Sequence, residues 1–241
     1  MSTEITLFDL PSKGTPTCWS LNPWKARMVL NFKKLPYKTE WVEYPDLAST
    51  FKSFEIAPNA PPQAEYTSPV VRLPNGRYIM ESRAIARELE ELKPEPSIQL
   101  DSPYVQKTFD LLGQIWPPLR SIVLPRVPIM LLPPRSAEYF ERTREEQFGK
   151  PLAEVAKTDG AGEGPWQEAE KGFQGIRALL AENEGPYVLG KEASFADFVL
   201  AGLWRMLERV DRDGDVYGRI MKDETFQKHH DACRQWQEKD D

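Results

Sequence analysis

The chain has 241 residues, 40% of them hydrophobic and 28% charged, with a formal net charge of −6. That balance belongs to a folded globular protein with room for one large or two modest domains, and it excludes a disordered chain. No basic block stands out and no apolar run nears the ~20 residues that span a bilayer, so neither nucleic acid nor a membrane is expected as a partner.

Cys18 and Cys233 lie far apart and form neither a disulfide framework nor a metal-ligand spacing. His229 and His230 are adjacent, so on a helix they point in different directions, and no metal site is expected. The opening MSTEITLFDL carries no basic region ahead of its apolar run, so no secretion leader is expected and a reducing, cytoplasmic setting is the simplest reading.

Along the chain, ITLFDL (5–10) reads as a strand. Asn22-Pro23 then reads as a helix start, Asn as cap and Pro at the first helical position, with Met28, Val29 and Phe32 at helical spacing over 24–34. KTEWVEY (38–44) alternates as a strand, and a loop or short helix follows over 46–54. SPVVRL (68–73), the turn Pro-Asn-Gly (74–76) and RYIM (77–80) form a hairpin, after which Ser82 caps a helix over 83–93. Pro94-Glu95-Pro96 ends that helix and opens a linker.

Beyond residue 104 only helical patterns remain: 104–116, 136–150, 166–182, 196–210 and 225–239. The stretch 117–134, apolar and rich in proline, is not expected to form one helix. The order β-α-β-α-β-β-α, then helix after helix, predicts an α/β domain over residues 1–95 and an all-α domain over residues 104–241.

Three features in this order resemble a glutathione transferase. They are the strand–loop–helix at 5–34, Ser68-Pro69 followed by the hairpin and Glu81-Ser82, and GPYVLGKEASFADFVL (185–200). More narrowly, PSKG…CWSLNPWKAR and LPYKTEWVEYPDL resemble the fungal, etherase-related, serine-type class called FuA. The resemblance implies a thioredoxin-like N-terminal domain that binds glutathione as co-substrate, with no metal. It also implies a helical C-terminal domain that carries a hydrophobic substrate site, a homodimer, and a role in detoxification.

The residues have their own chemistry beside that resemblance. Pro69 stands before a strand, where it is either a plain trans edge proline or a cis residue. The resemblance implies cis, with the Ser68 main chain pairing an extended peptide ligand as an added strand would. A helix N-terminus attracts a carboxylate and an acid attracts an amine, so Ser82 and Glu81 together suit an α-amino-acid head group such as the γ-glutamyl end of glutathione. Ser194-Phe195-Ala196-Asp197 has the form of a capping box and is read as structural.

Two residues compete for the sulfur chemistry. A hydroxyl donor at a helix mouth favours a bound thiolate over the thiol. Ser20, which stands where the FuA class has its serine, is the expected catalytic donor, with Asn22 as a second polar contact. Cys18 would serve a thiol-transferase mechanism, but it is followed by Trp19 rather than proline and lies outside the reach of the helix dipole. Lys52 fits the glycine carboxylate of glutathione by resemblance, and Gln63 is a further candidate. Trp19, Leu21 and Trp116 are the candidates for an apolar pocket for small aromatic ligands. The leading expectation is an enzyme that conjugates glutathione to aromatic electrophiles or uses it to cleave aromatic ethers. The alternatives are a non-catalytic binder of phenolic compounds and a Cys18-dependent thiol transferase.

Overall fold

The computed structural model describes residues 4–241; the first three residues of the expected N-terminal domain lie outside that range. Strand β1 (Ile5–Asp9) is buried along its whole length and leads through a loop into helix α1 (Leu21–Phe32). β2 (Tyr37–Trp41) pairs parallel to β1, with Leu7 opposite Thr39. A 3-10 turn at Tyr44–Asp46 and the short helix α2 (Leu47–Ser53) follow. The hairpin of β3 (Val70–Arg72) and β4 (Tyr78–Met80) closes through residues 74–76, where Gly76 takes φ +88°, and then α3 (Ser82–Leu92) begins. β3 runs antiparallel to β1, giving the sheet order β2-β1-β3-β4. This is a thioredoxin-like arrangement, in which a β-α-β crossover and a hairpin share one mixed sheet.

The second part is helical: α4 (Pro103–Val123), α5 (Val127–Met130), α6 (Pro134–Phe148), α7 (Leu152–Thr158), α8 (Gly164–Ala181), α9 (Phe195–Arg209), α10 (Tyr217–Ile220) and α11 (Glu224–Cys233). The expected break at residue 117 is absent. α4 continues through Pro117 and Pro118, carried by its packing along α8, where Ile115 and Leu119 are fully buried. Each proline removes one backbone donor, and tertiary burial outweighs that loss here. α7 and α10 are short and had no separate sequence signal. α11 stops at Cys233, six residues short of the expected end, and a 3-10 turn follows.

The halves meet along several elements, α1 on α9 and α6 on the 3-10 turn among them. α1 packs on α9, where Gly202 lets the helices close: a Cβ at that position would lie 3.0 Å from the Leu21 carbonyl oxygen. Trp24, Phe195 and Phe198, and Trp204 packed against Phe226 of α11, are none of them reached by solvent. At the start of α9 the Asp197 carboxylate accepts from the Ser194 N–H at 2.8 Å, the Ser194 hydroxyl at 2.9 Å and the Val188 N–H at 2.8 Å, so the Ser194–Asp197 pair pins the helix start to the preceding loop. The His229 ring meets the same carboxylate at 3.2 Å through Nε2. Its Nδ1 accepts from the Trp204 indole, a group that only donates, so Nε2 carries the proton.

Candidate active site

Helix α1 begins at Leu21, two residues earlier than expected, so Ser20 itself occupies the N-cap position with extended backbone (φ −87°, ψ 140°). Its carbonyl accepts from Trp24 N–H at 3.1 Å, while its hydroxyl makes no capping hydrogen bond. Asn22 is therefore a helical residue and not the cap. Its amide oxygen accepts from the buried Lys25 ammonium at 2.9 Å, which leaves the amide NH2 available. Burial lowers the Lys25 ammonium to about 8. The helix start thus presents a free hydroxyl, an amide donor and the positive end of a helix.

Ser20 and Asn22 share one wall of a cleft of about 470 Å³ with Thr67 and Ser68. The Ser68–Pro69 peptide is cis. The Ser68 hydroxyl donates to the Phe8 carbonyl at 3.3 Å, and its main-chain N–H and C=O take no part in the hydrogen bonds among the described residues. Next to it, the Glu81 carboxylate accepts from Thr67 Oγ1 at 2.6 Å and Asn59 Nδ2 at 3.3 Å. Glu81 precedes α3 with φ +77°, a conformation rare for a residue with a side chain. Ser82 is the first helical residue rather than the cap, and it is buried. Lys52 is exposed, its ammonium 5.6 Å from the ring centroid of Tyr66, which lines the cleft.

The opposite wall comes from the 3-10 turn and α6: Tyr44, Tyr139, Thr143 and Arg144. The Tyr44 and Tyr139 rings stack with centroids 6.2 Å apart and planes 11° apart. Burial, only partly offset by Arg144, pushes the Tyr44 phenol up to about 12, so it stays protonated at neutral pH.

The three residues expected to form the apolar pocket stand elsewhere. Trp19 is in the core, its ring 6.4 Å from Tyr44, and supports the cleft wall from behind. Leu21 turns toward α9 at Gly202. Trp116 sits on α4, outside the cleft lining. Cys18 is fully buried beside the Asp9–Arg27 ion pair, which closes at 2.9 Å. Burial first, and the Asp9 carboxylate second, push its thiol well above the ordinary range, which removes the thiolate a nucleophile needs.

The helical part of the chain matches the family model described as Glutathione S-transferase, C-terminal domain, over residues 105–236; the first part matches Glutathione S-transferase, N-terminal domain, over residues 19–92. The chain belongs to the glutathione S-transferase family.

This glutathione S-transferase family member is 30% identical over 230 residues to the glutathione S-transferase-like protein ustS of Aspergillus flavus, covering 87% of this chain and 82% of that protein. It is similar at 33% identity to the crystal structure of a glutathione S-transferase of Ceriporiopsis subvermispora in complex with glutathione, with a TM-score of 0.85 over 97% of both chains. It is similar at 30% identity to the glutathione transferase GSTFuA3 of Phanerochaete chrysosporium, with a TM-score of 0.85 and 97% of both chains covered. The resemblance to the fungal FuA class therefore extends over nearly the whole fold.

The resemblance to the family, joined to the chemistry of a helix start, put Ser20, Asn22 and Ser68 in one site, and all three line the same cleft. Sequence reasoning missed Tyr44, Tyr66, Tyr139 and Arg144. Tyr44 was read into a strand that ends at Trp41. Tyr139 and Thr143 share a helix face at a spacing of four, with Arg144 reaching the cleft from the position beside them, a pattern that hides in a helix crowded with charges.

Proposed function

We propose that this family member is a serine-type glutathione transferase in which the Ser20 hydroxyl donates to the thiolate of bound glutathione, directing the sulfur at small aromatic electrophiles or ethers. The observation that carries the reading is the uncommitted Ser20 hydroxyl at the mouth of α1, on the same wall as the unpaired Ser68 main chain. In this reading Ser68 pairs with the peptide backbone of glutathione. Glu81 and the start of α3, with Ser82, receive its γ-glutamyl end, and Asn22 and Lys52 supply further polar contacts. Pro69 shapes the turn that exposes Ser68.

The test is Ser20→Ala with glutathione affinity measured separately from turnover. A hydrogen bond to an ionised group is worth roughly 1.5–3 kcal/mol, so kcat/KM falls about ten- to a hundredfold. The pKa of the bound thiol, read from thiolate absorbance, rises by roughly one to two. Unchanged thiol ionisation in the variant would remove Ser20 from the chemistry. Cys18→Ser leaves turnover intact, because that thiol is sealed from the cleft. The three tyrosines of the cleft also suit phenolic ligands held without reaction, a role that negligible turnover alongside tight phenol binding would favour.

A further inference from the structure

Arg144 stands apart from its neighbours on α6. Arg135 pairs with Glu43 and Asp46, and Arg142 pairs with Glu146. Arg144 forms no salt bridge among the described residues, although it lines the cleft and is half-buried. Its one side-chain hydrogen bond goes to Thr143 Oγ1 at 3.2 Å. The guanidinium lies over the Phe140 ring, 4.4 Å from the centroid, which holds its plane without consuming donors. A guanidinium offers five N–H groups in a rigid fork matched to a carboxylate, and only one of them is used here.

The surroundings reinforce this. Glu65 is the one carboxylate among the residues lining the cleft; it is exposed and makes no ion pair with Arg144. Asp9, whose charge reaches Tyr44, is buried and spent on Arg27. Tyr44, kept as a neutral phenol, adds a hydroxyl donor on the same wall. Unpaired positive charge beside stacked aromatic rings selects a flat ligand with a negative edge.

We propose that Arg144 is the specificity-determining residue of the cleft, pairing with an anionic group carried by the aromatic second substrate, a carboxylate or an acidic phenolate. The inference rests on the transferase reading for its chemistry but not for its binding claim. The aromatic body packs against Tyr44 and Tyr139, and the anion meets the Arg144 fork. Ring substitution then proceeds as for any such electrophile: the C–S bond forms at the ring carbon bearing the leaving group, the carbon–halogen bond breaks, and halide departs while the thiol proton goes to solvent.

The experiment compares a matched pair, an aryl chloride carrying a carboxylate (a chlorodinitrobenzoate) and its methyl ester. Turnover is measured with glutathione, and binding of the unreactive dinitrobenzoate and its ester is followed by calorimetry. In the wild-type chain the carboxylate is favoured over the ester in both readouts. Arg144→Gln reduces that preference about tenfold, the scale of one charge-assisted hydrogen bond, and Arg144→Lys restores part of it. A carboxylate preference that survives Arg144→Gln, or that is absent from the wild type, overturns the proposal, as does a variant that loses both ligands equally. If neither chloride turns over while the binding preference follows position 144, the proposal stands and the transferase reading falls. If turnover is intact but indifferent to the carboxylate, the reverse holds.

Discussion

His230 is buried beside the Tyr217 ring, at 5.5 Å between centroids, and burial pushes its imidazole down to about 4. Arg234 and His229 push in the same direction, while Glu208 opposes them. In an unfolded chain an imidazole takes up a proton near 6.5. Between those two values the unfolded state binds a proton that the folded state refuses, so stability is full above about pH 6.5 and falls as pH drops toward 4. The loss by pH 4 amounts to roughly 3 kcal/mol. Denaturant unfolding of the wild type and His230→Asn across that window checks it: the wild type loses more stability on acidification, and the difference between the two curves follows the imidazole. This role could not be read from the His229-His230 pair, whose sequence says only that the rings diverge. Ser20 is different, because a serine just ahead of a helical pattern suggests its own position. Arg144 is different again: nothing local separates a paired arginine from an unpaired one, since pairing is set by which carboxylates the tertiary fold brings near.

Among the elements, α4 and α8 make the most extensive helix contact in the second domain. At Gly172 an added Cβ would lie 2.5 Å from Ile115 Cγ1 and 3.2 Å from the Ile115 backbone nitrogen. At Gly175 the nearest obstacle is the Leu111 Cδ2 methyl, the mobile end of a side chain. Gly172→Ala therefore destabilises by about 1–3 kcal/mol despite the better helix propensity of alanine, whereas Gly175→Ala is near neutral because Leu111 can swing aside. Thermal melting of the two variants separates them. Asp197 is the second element-scale test. Asp197→Ala strips acceptors from Val188 N–H, Ser194 N–H and the His229 ring at once, and each orphaned buried donor costs roughly 1–3 kcal/mol. A large drop in melting temperature or soluble yield is expected, with Asp197→Asn falling between. The S-x-x-D pattern made this helix start legible, since a cap is local chemistry. The unbroken α4 was not legible, because proline propensity is local while the α8 surface that overrides it lies some fifty residues downstream.

At the scale of the whole molecule, the site depends on how tightly the halves close. Gly202 touches the first residue of α1, and Ser20 is the residue before it. Gly202→Val drives a side chain into the Leu21 carbonyl and the Trp24 Cβ, so it displaces the mouth of α1. Turnover then falls further than the loss of stability alone would explain. Comparing kcat with melting temperature, against the distant Gly172→Ala as control, checks this. The division into an α/β half and a helical half was legible because hydrophobic periodicity changes near residue 100. The cleft was legible only in part, since one wall is built from the first half and the other sets Tyr44 of the first half against α6, and no sequence window contains both. Finally, the molecule holds one sealed thiol in each half: Cys18 against the sheet and Cys233 at the end of α11, neither touched by solvent. An alkylating reagent added to the native chain can label them only during excursions that open one half or the other. The two labelling rates, followed separately, form a pair of internal clocks that tell whether the halves breathe together or apart.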